Sequence, residues 1–149
     1  MIAHLVHRHL KNAGVVLILI VFAIGLTSCS KKISFMDNSD VPGAEGTVKI
    51  KNKGGNYLID VSTLNLAPSE KLSPSKKMYV VWVETKNDGV KNIGSMNSSS
   101  GFLSKALKGS LSATLVFKPR RVFITAEDEA TPSSASRRVV LTTRSFRVR

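Results

Sequence analysis

Hydrophobic and polar positions divide the chain into three regimes. Ala13 to Leu26 is an unbroken apolar run of fourteen residues with no charge and no side-chain amide. Ser30 to Glu45, SKKISFMDNSDVPGAE, mixes charge with Ser, Asn, Pro and Gly and keeps no period, which predicts a flexible spacer. From Gly46 onward, short β-branched or aromatic runs are separated by turn residues, and that pattern predicts an all-β fold. Thr47 to Lys51 alternates Val48 and Ile50 with Lys49 and Lys51, so one face is buried and the other wet. Lys53-Gly54-Gly55-Asn56 predicts a hairpin turn, because Gly and Asn tolerate positive φ. A strand over Tyr57–Leu66 follows, then a loop over Ala67–Lys77 whose prolines cannot donate to a ladder. Met78 to Glu84 is apolar without alternation, the mark of a central strand covered on both faces. Further strands are expected over Val90–Met96, Phe102–Lys108, Leu111–Phe117, Val122–Glu127 and Arg138–Arg144, with breaks at Asn97–Gly101 and around Pro132–Ser136; a short helical turn fits Phe102–Leu107 equally well. About seven to eight antiparallel strands without a sustained helical period predict a sandwich over residues 46–149.

The apolar run has a different purpose. It follows MIAHLVHRHLK, which carries Arg8, Lys11 and all three histidines, so the order is that of a basic n-region and an h-region. Fourteen residues at about 1.5 Å each reach about 21 Å, short of the roughly 30 Å that a spanning helix must cover. An export signal, helical over its apolar part, is therefore expected over residues 1–28. Leu26-Thr27-Ser28-Cys29 resembles the lipobox of bacterial lipoproteins, and Cys29 is the one cysteine of the chain. The resemblance implies cleavage between Ser28 and Cys29, a diacylglycerol on the Cys29 thiol and an acyl chain such as palmitate on the new amino terminus. Two or more chains hold a protein stably, whereas one does not. Residues 29–45 are then the lipidated cysteine and its tether.

With the signal removed, charge and chemistry look different. The 121 residues from Cys29 contain no histidine, and they hold 20 of the 22 Lys and Arg residues with all ten acids, a formal +10. Lys49, Lys51 and Lys53 recur at period two, as do Arg147 and Arg149, with Phe146 and Val148 opposed to the latter pair. Such rows are candidate contacts for phosphate groups of anionic lipid or lipopolysaccharide, although lysine-rich edges also deter strand aggregation. No aromatic platform is interleaved with them, so nucleic acid is not an expected partner.

The ordered features Tyr79-Val80-Val81-Trp82-Val83, Asn87-Asp88-Gly89, Gly94, Phe102, Val122-Phe123-Ile124-Thr125-Ala126-Glu127, Pro132 and Val139-Val140-Leu141-Thr142 resemble the C-terminal extracytoplasmic domain of the anti-sigma-K factor family. The resemblance implies an immunoglobulin-like β-sandwich outside the cytoplasmic membrane, and it implies no catalytic residues. Regulators of that family carry a cytoplasmic sigma-binding segment before a spanning helix. Here twelve residues precede the apolar run, so sigma-factor inhibition is not carried over.

Catalytic candidates are few. Ser73 and Lys76 match the S-x-x-K spacing, but Pro74 lies between them in a loop and no companion motif follows. Glu127-Asp128-Glu129 is an acidic cluster at a strand end, where neighbours point to opposite faces and a solvated end is expected. Trp82 lies in so apolar a strand that a core role is expected. No enzyme, cofactor or metal is expected. The expectation is a lipid-anchored, periplasm-facing module of a Gram-negative envelope, in the inner leaflet of the outer membrane because Ser30 lacks the aspartate of inner-membrane retention. The alternatives are a signalling or stress accessory that contacts another membrane protein, and an enzyme using Ser73 and Lys76.

Overall fold

The computed structural model describes residues 30–36, 41–96, 99–101 and 104–148. Nine strands follow in chain order: β1 (Ser30–Met36), β2 (Glu45–Lys53), β3 (Asn56–Leu64), β4 (Met78–Thr85), β5 (Val90–Met96), β6 (Ser99–Gly101), β7 (Ser104–Leu115), β8 (Pro119–Glu127) and β9 (Val139–Thr143). A single 3₁₀ turn, Ser69–Lys71, interrupts the loop before β4. Among the described residues every ladder is antiparallel.

The strands form one continuous ribbon, β5-β4-β8-β9-β1-β2-β3-β7-β6, folded over into two layers. One layer is β2-β3-β7-β6 and the other is β9-β8-β4-β5. Those orders are the A-B-E-D and G-F-C-C′ sheets of an immunoglobulin sandwich. β1 is the addition, and it gives the sandwich a barrel-like continuity. Its first part pairs with β2, Ser30 opposite Lys51 through Ser34 opposite Thr47, and its last two residues pair with β9, Phe35 opposite Thr143 and Met36 opposite Thr142.

The core fills the space between the layers by period-two alternation. Val48 and Ile50 from β2, Ile59 and Val61 from β3, Tyr79, Val81 and Val83 from β4, and Val122, Ile124 and Ala126 from β8 are all buried there. β4 is covered on its other face too, as its unbroken apolar run predicts. Val80 and Trp82, with Phe123 of β8, form a second cluster on the outer side, packed against Met78, Ala135 and Val139. Residues 128–138 supply part of that cover through Ala135. In antibody domains the strand-C tryptophan lies in the central core, whereas Trp82 belongs to this outer cluster.

Two expectations are corrected. The segment read as a flexible spacer over residues 29–45 contributes β1, and Phe35, Val41 and Ala44 are core residues. Its period is short: Ile33 and Phe35 alternate with Lys32 and Ser34, too few positions to stand out from the charged residues around them. Gly46 completes the fit, because a Cβ there would lie 2.7 Å from Phe35 Cδ2 and 2.8 Å from the Ser62 carbonyl oxygen. The strands expected over Phe102–Lys108 and Leu111–Phe117 are one twelve-residue strand, β7. Gly109 and Ser110 read as a break, yet they pair with Thr63 and Ser62, and the Thr63 hydroxyl donates to the Gly109 carbonyl at 3.4 Å.

Candidate functional site

The two rows of basic residues go to different places. Lys49, Lys51 and Lys53 are exposed on the outer face of β2, where Lys49 lies between Lys32 of β1 and Asp60 of β3 in register. Asp60 accepts a hydrogen bond from Ser112 Oγ at 2.6 Å, so a carboxylate is built into this face. Arg147 instead lies at one end of the sandwich. Phe146 and Val148 are buried on either side of it, 8% and 6% exposed, and their alternation turns the Arg147 side chain outward. The Phe146 amide donates to the Arg120 carbonyl at 2.7 Å, which pins this C-terminal segment to β8.

At that end a pocket of about 720 Å³ is lined by Lys31, Lys86, Lys118, Pro119, Arg120, Phe146, Arg147 and Val148. Four separate chain segments supply its five cations. Lys31 comes from the start of β1, and its ammonium donates to the Arg147 carbonyl oxygen at 2.8 Å. Lys86 sits in the β4–β5 turn, held by Thr85, whose amide and hydroxyl donate to the Gly89 carbonyl at 2.9 and 3.1 Å and whose hydroxyl accepts the Asp88 amide at 2.8 Å. Gly89 takes φ 72°, which lets that turn close. Lys118 and Arg120 flank buried Pro119 where β8 begins. Among the described residues no carboxylate lines the pocket. Arg121, next in sequence, points elsewhere: it pairs with Glu84 at 2.7 Å and lies 5.3 Å from the Phe123 ring centroid.

Register fixes where this end lies relative to the start of β1. Ser30 is opposite Lys51, near the tip of the β2–β3 hairpin, and Lys31 is itself a wall of the pocket. Ser28, Cys29 and the apolar run lie outside the described residues, as do Phe102 and Arg149. No helix among the described residues is long and apolar enough to cross a membrane.

The catalytic candidates are drawn into structural roles. Lys76 Nζ bonds Asp128 at 2.6 Å, and the backbone carbonyls of Ser73 and Pro74 accept from Arg138 at 2.8 and 3.2 Å. Of the acidic trio, Glu127 is buried, 6% exposed, contrary to the solvated strand end expected of it. It accepts hydrogen bonds from Thr125 Oγ1 at 2.6 Å and from the Ser136 amide at 2.8 Å, while Thr125 Oγ1 accepts from Trp82 Nε1 at 2.8 Å. Loop 128–138 is thereby tied to the outer cluster, and Asp128 turns away to Lys76. Among the described residues no group of three His, Cys, Asp or Glu side chains is placed to hold a metal ion.

Sequence reasoning found Arg147 but missed Lys31, Lys86, Lys118 and Arg120 as its companions. They come from three separate segments, Lys118 and Arg120 sharing one, and no short motif joins them to Arg147. Comparison with protein-family models, curated proteins and solved structures finds no match to the chain.

Proposed function

We propose that this chain is a lipid-anchored module of the bacterial cell envelope, fixed by acylation of Cys29 and acting by binding rather than by catalysis, with its sandwich facing the periplasm. One observation carries the reading: strand β1 begins at Ser30, the residue after Cys29, and Lys31 already forms part of a pocket lined by five cations. An anchor placed there presses the basic end of the sandwich against the lipid surface, with no spacer in between. Each Lys or Arg near an anionic leaflet adds about 1 kcal/mol of attraction, screened within a Debye length. The acyl chains supply attachment and the charges set orientation.

Metabolic labelling with a clickable fatty acid tests the anchor. Wild type takes up label and fractionates with membranes; Cys29→Ala does neither. Label retained by Cys29→Ala overturns the proposal.

A second reading, an accessory to envelope signalling, draws on the strand motifs that resemble the outer domain of anti-sigma-K factors, and the immunoglobulin-like strand order agrees with it. Its signature is a cross-link from the loops to a specific membrane protein in intact envelopes.

A further inference from the structure

Five cations converge on one concavity from the start of β1, the β4–β5 turn, the approach to β8 and the C-terminal segment. Solubility needs no such convergence, because charges spread over the surface serve it as well. Like charges gathered with no carboxylate among the described lining residues repel one another, and binding of an anion would relieve that repulsion. The floor is apolar: Pro119, Phe146 and Val148 lie among the cations, so a charge seated there is less screened than one on an open face. A volume of about 720 Å³ admits more than a bare phosphate ion and suits a headgroup with its glycerol. Arg120 and Arg147 carry planar guanidinium forks whose geometry matches phosphate oxygens, while lysines act as point charges.

Position identifies the source. Cys29 is two residues from Lys31, a reach of at most about 7 Å along an extended backbone. We infer that the pocket of Lys31, Lys86, Lys118, Arg120 and Arg147 binds the phosphodiester headgroup of an anionic glycerophospholipid in the bilayer that holds the anchor. The choice of a lipid rests on the anchoring proposed above; the affinity for a phosphoryl group rests on the pocket alone. The lysine row on the outer face of β2 is not part of this site, since Asp60 and Lys32 share that face and none of its lysines lines the pocket.

The test uses the full chain purified in a non-ionic detergent and titrated calorimetrically with short-chain phosphatidylglycerol, short-chain phosphatidylcholine or inorganic phosphate. Phosphatidylglycerol is expected to bind in a salt-dependent manner, and phosphatidylcholine and inorganic phosphate at least about tenfold more weakly. Each cation contributes about fivefold, so Lys118→Gln with Arg120→Gln weakens binding about 25-fold. The Arg120 backbone carbonyl still receives the Phe146 amide in that variant. Lys86→Gln, in an exposed turn, is an independent probe expected to cost about fivefold. Lys49→Gln with Lys51→Gln leaves binding unchanged. Equal binding of the two phospholipids, or pocket variants that bind like wild type, overturns the inference. Inorganic phosphate competing as well as phosphatidylglycerol makes the ligand a free anion and overturns the lipid assignment. Because acylation is read separately by the fatty-acid label, a failed anchor and a failed pocket give different results.

Discussion

Trp82 Nε1 donates to Thr125 Oγ1 at 2.8 Å, and the same hydroxyl passes its own hydrogen to Glu127 at 2.6 Å. One hydroxyl thus satisfies an indole on β4 and a buried carboxyl group at the end of β8. Thr125→Val keeps the shape and leaves both without that partner. Unfolding in urea, followed by fluorescence of the single tryptophan, is expected to show a loss of about 2–4 kcal/mol. Thr125→Ser retains the hydroxyl and should lose about 1 kcal/mol for the missing methyl. Equal losses in the two variants would show that packing, and not the hydrogen-bond chain, sets the cost.

Gly46 has room for nothing larger. A methyl group there meets the Phe35 ring and the Ser62 carbonyl, and the carbonyl belongs to the β2–β3 ladder and cannot retreat. Gly46→Ala is expected to destabilise the sandwich by about 1–3 kcal/mol. Hydrogen exchange should report earlier opening of β1 than of β4. Uniform exchange would mean that β1 gives way only with the whole sandwich.

Tyr79 adds a pH dependence. Its hydroxyl donates to the Ala67 carbonyl at 2.6 Å, and burial pushes its pKa up to about 12 from 10.0. A folded-state pKa above the unfolded value means that the unfolded chain releases the proton first as pH rises. This contribution is therefore fully present below pH 10 and lost between about pH 10 and 12, an amount of about 2–3 kcal/mol. Ultraviolet titration of the folded protein should show a phenol ionising near pH 12, absent in Tyr79→Phe. Removal of the high-pH absorbance step by Tyr57→Phe instead would refute the assignment.

The orientation proposed for the sandwich at a membrane can be tested by labelling. Asn56 lies at the tip of the β2–β3 hairpin, while Ser75 precedes β4, whose far end enters the turn carrying Lys86. Eight residues of strand separate the two ends by about 26 Å. In membranes, a fluorophore on Asn56→Cys should be quenched strongly by headgroup-labelled lipid and one on Ser75→Cys weakly. Reversed or equal quenching would mean that the domain does not rest on its basic end.

The sequence made the layers legible wherever a strand repeats its period often enough. β3 alternates along its length through Tyr57, Ile59, Val61 and Thr63, β2 sets Val48 and Ile50 between lysines just before the Gly54-Gly55-Asn56 turn signal, and β4 displays its double cover as an unbroken apolar run. β1 escaped because only Ile33 and Phe35 mark its inner face and its partner site is a glycine, which leaves no trace in a hydropathy pattern. Glu127 looked solvent-facing because its partners, Thr125 and the Ser136 amide, are polar groups whose closeness depends on how residues 128–138 fold back. The pocket was illegible for the same reason. Its cations are separated by up to 116 positions, as Lys31 and Arg147 are, and only antiparallel closure of the sandwich brings them together.

Strand β1 is laddered to β2 along its first five residues and to β9 along its last two, so neither of its ends belongs to a free margin. A pull along the axis of β1 from its Ser30 end therefore loads the β2 and β9 seams together, in shear. One strand thus spreads such a load over both halves of the barrel.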